Sequence, residues 1–119
     1  MSKVVQAVNA MIIHADLITG VIQGQDRGEL FFLYKGKHKW SIRVDHSGEY
    51  YLWYYPGDAE LADLAAYDDP DWGHTPIVTY KTSDIGTKEA QASFAELYGI
   101  LKERIYGMNE VLDDIISDT

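Results

Sequence analysis

The sequence predicts an α+β fold: an antiparallel meander of three to four strands, packed on one face by an N-terminal helix and a long C-terminal amphipathic helix, in the order α-β-β-β-(short α)-β-α. Three observations predict it. Apolar residues recur at alternating spacings of four and three near both ends of the chain, the signature of an amphipathic helix. Between them lie short aromatic and β-branched runs, separated by Gly-containing turns too short for anything but antiparallel pairing. A length of 119 residues, 46% of them hydrophobic and 24% charged, suits one globular domain, 1–119, with a core of its own.

The first helix is placed at residues 2–22 by Val4, Val8, Met11, Ala15, Ile18 and Ile22, with Ser2 as N-cap and Gly20 and Gly24 weakening its end. After a turn at 25–28, strands follow at 29–34, 38–44 and 49–55, joined by the turns Lys35-Gly36-Lys37 and Asp45-His46-Ser47-Gly48. The third strand is the densest feature of the chain, with five rings (Tyr50, Tyr51, Trp53, Tyr54 and Tyr55) in seven residues, closed by Pro56-Gly57. A second turn of two or four residues puts Trp40, Ile42 and Val44 on one face with Tyr51, Trp53 and Tyr55, and Phe31 and Leu33 join them. The helices then cover that face. The other face is left as a mixed aromatic and cationic surface of Phe32, Tyr34, Lys39, Arg43, Tyr50 and Tyr54. A three-residue turn would reverse the third strand.

Further on, 59–67 reads as a short helix with Leu61, Leu64 and Ala65 inward and Asp58 as cap, 69–74 as a loop, and 76–81 as a fourth strand with Pro76 at its start. The last helix begins at a Thr87 cap and carries Phe94, Tyr98, Leu101, Ile105, Met108, Leu112 and Ile115 on one stripe. Gly107 is the point at which it would divide, with Asn109 as the new cap.

Charge narrows the function. The net charge is −9, and all of the imbalance is in the second half: residues 1–56 carry six Lys and Arg against five acids, and 57–119 carry four against fourteen. Such a field repels nucleic acid and anionic membrane and favours a basic partner. No apolar stretch suits a leader or a membrane span, and a cytoplasmic location is the default. There is no Cys, P-loop, dinucleotide-binding glycine pattern, H-E-x-x-H or G-x-S-x-G, so the residues weigh against an enzyme and call for no cofactor. Asp68, Asp69, Asp71 and His74 read as a solvated acidic loop rather than as a cation site, lacking the later acid of a calcium loop.

The sequence therefore reads as an acidic protein-interaction module: an adaptor, an inhibitor, or an immunity- or chaperone-like binder. It would grip a basic protein, or a second copy of itself, through the aromatic face and the acidic surface of Asp58, Glu60, Asp63, Asp68, Asp69 and Asp71. The alternative is a small-molecule-binding or enzymatic domain whose pocket, between sheet and helices, is lined by Trp40, Tyr51, Trp53 and Tyr55. A weaker third reading is a charge mimic of nucleic acid.

Overall fold

The computed structural model describes residues 2–117. It opens with α1 (Lys3–Ile13), whose first turn is capped as the sequence predicts: Ser2 Oγ accepts the Val5 N–H at 3.3 Å. The helix then stops far short of residue 22. A 3₁₀ turn at Ala15–Leu17 leads into a strand, β1 (Ile18–Gln23), so the fourfold and threefold spacing of Ile18 and Ile22 is not helical. Thr19, Val21 and Ile22 are β-branched, and the left-handed Gly20 (φ 64°) sits in a bulge, between Thr19 and Ile22, that adds a residue to the strand. The bulge puts Ile18 and Val21 on one face of the sheet and Ile22 on the other.

The sheet is antiparallel and has five strands in sequence order: β1, β2 (Leu30–Tyr34), β3 (His38–Val44), β4 (Tyr50–Tyr54) and β5 (Val78–Lys81). Between β4 and β5 run α2 (Leu61–Ala65), which buries Leu61, Leu64 and Ala65 as predicted, and α3 (Asp69–Trp72), a helical turn where the sequence suggested loop. Its N-cap is Asp68, whose own N–H is taken by Asp71 Oδ2 at 2.9 Å. After β5 come α4 (Thr82–Ile85), not anticipated from sequence, and α5 (Lys88–Ile105), capped by Thr87 Oγ1 on the Ala90 N–H at 3.1 Å. Gly107, left-handed at φ 63°, divides the C-terminal segment, and α6 (Met108–Ser117) follows it. No described helix is long and apolar enough to cross a membrane.

Pairing partners lie on the same face, so the register assigns the sides. β2 and β3 pair Phe32 with Trp40 and Tyr34 with His38; β3 and β4 pair Trp40 with Tyr54, Ile42 with Leu52 and Val44 with Tyr50. Both hairpin loops are therefore odd. The first is the three residues 35–37. In the second, Asp45 N–H reaches Glu49 O, leaving 46–48 as a three-residue turn that ends on left-handed Gly48 (φ 89°). Asp45 fastens that turn by accepting from Ser47 N–H and Glu49 N–H, and these bonds, Ser47 Oγ–H foremost, hold its carboxyl below the usual range.

Consequently the helix-covered face carries Phe32, Tyr34, Trp40, Ile42, Tyr50, Leu52 and Tyr54, not Phe31, Leu33, Tyr51, Trp53 and Tyr55. Its core is closed by Val5, Val8 and Met11 of α1 and by Phe94, Leu97 and Leu101 of α5, which also pack on each other. Arg104 pins the end of α5 to the start of β1 by donating to Ile18 O and Ala15 O, each at 2.5 Å.

Candidate functional site

The second face begins with Phe31 and Leu33 of β2, Lys39, Ser41 and Arg43 of β3, Tyr51 and Trp53 of β4 and, just beyond it, Tyr55. The segment after β4 folds back over one end of it. Lys39 Nζ anchors that segment through Gly57 O and Ala59 O at 2.5 and 2.7 Å, and Trp72 of α3 lies against the rings of Phe31 and Tyr55 at 6.4 and 5.7 Å.

Beneath this lid is a polar chain. Ser41 is fully buried, Tyr55 nearly so, and Glu29 is only 7% exposed. Ser41 Oγ donates to Glu29 Oε2 at 2.9 Å and lies 2.7 Å from Tyr55 OH. Its single proton goes to the carboxylate, so Tyr55 donates to Ser41. Burial, partly offset by the Ser41 bond, pushes the Glu29 carboxyl above its usual range, and burial also raises the Tyr55 phenol. Two clefts of about 330 and 200 Å³ flank the chain, with Asp26, Glu29 and Trp72 on both walls. Glu29 lines both clefts, and its partner Ser41 is in turn satisfied by Tyr55; the arrangement holds a carboxyl in place rather than presenting a nucleophile.

The uncovered end of the same face is an aromatic and cationic ladder. Tyr51 and Trp53 stack at 5.6 Å and 13°, the Arg43 guanidinium lies 5.7 and 6.0 Å from their centroids, and Lys81 Nζ lies 5.7 Å from Tyr51. On the opposite face, α1 leaves an open groove of about 590 Å³ against β2 to β5, where Ala7 and Ala10 present no bulk over Trp40 and Tyr54. Trp40 Nε1–H is shielded from solvent there and meets no acceptor, which costs about 1–3 kcal/mol for a buried donor.

The third uncovered surface is α6. None of its ten residues is buried, and Val111, Leu112, Ile115 and Ile116 are 45 to 66% exposed on one stripe. Glu110, Asp113 and Asp114 flank the stripe, and 105–117 contains no Lys or Arg.

The residues predicted to form one binding surface are thus separated. Phe32 and Tyr34 are core, Tyr50 packs edge-on against Tyr98 of α5 at 5.9 Å, and Tyr54 borders the α1 groove, while Lys39 and Arg43 lie on the other face. The predicted pocket set divides likewise, with Trp40 on the groove and Tyr51, Trp53 and Tyr55 behind it. Both corrections have one cause, the odd loops. The acids Asp58, Glu60, Asp63, Asp68, Asp69 and Asp71 are all exposed on the α2–α3 segment, and among the described residues no three carboxylates or imidazoles converge as a ligand set. Two features escaped the sequence reading: the Glu29–Ser41–Tyr55 chain, whose only trace was a lone Ser between Trp40 and Ile42, and the isolation of α6, which Gly107 signalled. No family model, curated protein or solved structure matches the chain.

Proposed function

We propose that the chain is a non-enzymatic protein-interaction module that docks α6 onto a partner protein whose apolar surface is rimmed by basic residues. The observation that supports this is the exposed aliphatic stripe of α6. Fully burying such a side chain is worth about 1.5–3 kcal/mol, so four of them at roughly half exposure leave on the order of 3–6 kcal/mol available to a partner. An amphipathic helix carrying hydrophobes at 111, 112, 115 and 116 is the form in which peptides enter grooves. The flanking acids and the −9 net charge set the sign of the rim they meet.

The test is a photo-crosslinking amino acid placed at 112 or 115 of the full chain in its native extract, with position 63 as control. A discrete protein adduct, with another protein or with a second copy of the chain, is expected from 112 and 115 and not from 63. No adduct at either α6 position, or the same adducts from 63, refutes the reading.

A further inference from the structure

We infer that the groove between α1 and the sheet is a binding site for an amphipathic monocarboxylate, an apolar body of about 10–14 Å with one anionic end. The body is sized by the walls. Ala7 to His14 spans about two turns of α1, roughly 10 Å, and β2 to β5 spreads across roughly 14 Å. The 590 Å³ volume lies within the range of sites that enclose small molecules.

The anion is called for by charge. The chain has 19 acids and 10 Lys and Arg, yet among the described residues the groove is bordered by His14, Lys35 and His38 and by no Asp or Glu. The Lys35 ammonium and the imidazoles of His14 and His38, all able to donate to an anion, gather at one end, where the C-terminus of α1 meets the β2–β3 turn, so a ligand has a defined direction with its carboxylate there. The floor suits the apolar part: Trp40 and Tyr54 pack at 4.8 Å and Tyr54 and His38 at 6.2 Å, a continuous row of rings. Along α1 the groove is lined by Ala7 and Ala10, which carry no bulk, together with Met11 and the C-cap His14.

The full chain, labelled with ¹⁵N, is titrated below micellar concentrations with decanoate and, separately, with decylammonium, which has the same chain and the opposite charge. The Trp40 indole resonance, assigned by its loss in Trp40→Phe, is expected to shift saturably with decanoate, and decylammonium is expected to bind at least tenfold more weakly. Lys35→Glu, an exposed turn position, should weaken decanoate about tenfold, and Ala10→Phe, an exposed helix position whose ring would occupy the groove, should abolish binding. An unmoved indole, equal affinity for both probes, or unchanged decanoate binding in a folded Lys35→Glu or Ala10→Phe variant overturns the inference. The outcome is independent of α6 and of any protein adduct it forms.

Discussion

Replacing Ser41 with Ala removes one oxygen and disconnects two buried groups. Ser41 is fully buried and the residues Glu29 and Tyr55 are 7% and 3% exposed, so little water is at hand to replace the lost bonds at 2.9 and 2.7 Å. Each buried polar group left without its partner costs about 1–3 kcal/mol, so Ser41→Ala is expected to destabilise by about 2–6 kcal/mol, a large part of the 5–15 kcal/mol that holds a typical domain. Tyr55→Phe takes away the outer donor but leaves Ser41 bonded to Glu29, and it should cost about 1 kcal/mol. In the Ser41→Ala background the same change should cost nothing, because the phenol it deletes is already unpaired. Urea unfolding of the two single variants and the double variant closes the cycle, with a coupling of at least ~1 kcal/mol expected. A Ser41→Ala cost under ~1 kcal/mol, or additive effects, would refute the chain as a cooperative unit.

Glu29 gives the pH dependence. Its folded pKa is raised by burial, so as pH rises the unfolded carboxyl ionises first, the folded state holds the proton longer, and stability falls until the folded pKa is passed. Glu29→Gln lacks this loss, so the stability of the variant relative to wild type should grow as pH rises above the usual carboxyl range and level off once the folded pKa is passed; a constant difference in urea midpoints would contradict it. Gly24→Ala should destabilise by about 1–3 kcal/mol, since a Cβ there would stand 2.5 Å from the buried ring of Phe31, and thermal unfolding reads the effect. Gly48→Ala meets no neighbouring atom and should lose only the backbone penalty at φ 89°, about 1–2 kcal/mol. The double variant Leu112→Asp/Ile115→Asp should leave global stability within about 0.5 kcal/mol, α6 having no buried residue, while abolishing adducts from a crosslinker at 111.

Much of the architecture was legible because it follows from local chemistry. Ser2 and Thr87 cap the helices they were assigned to, Leu61, Leu64 and Ala65 face inward, and three central strands and a fourth near 78–81 lie where aromatic and β-branched runs put them. The first helix was overextended because Ile18 and Ile22 sit at helical spacing, and only the tertiary pairing of Ile18 with Tyr34 and Ile22 with Phe31 shows that a bulge, not a helix, sets that interval. The sheet faces were assigned the wrong way round for a subtler reason. Strands of alternating side chains are unambiguous within themselves, but their relative phase depends on one integer, the number of loop residues, and Asp45-His46-Ser47-Gly48 fits either parity until Asp45 is seen to pair with Glu49. The groupings of β3 with β4 inherited that error, whereas the grouping of Phe32 and Tyr34 with Lys39 and Arg43 conflicts with the three-residue turn 35–37 itself, which pairs Tyr34 with His38 and Phe32 with Trp40.

The odd loops also bear on how this chain can vary. Inserting or deleting one residue in 46–48 would turn β4 over, driving Arg43's companions Tyr51 and Trp53 into the packing of α1 and α5 and bringing Leu52 out beneath Trp72. Such a change is survivable only if a second single-residue change restores the phase before the next strand, or if the whole alternate set of side chains is exchanged at once. Descendants of this sequence can therefore lengthen 46–48 and 35–37 by twos, but by one only with a compensating change, so the hairpin loops carry an inherited parity even where their residues are free to drift.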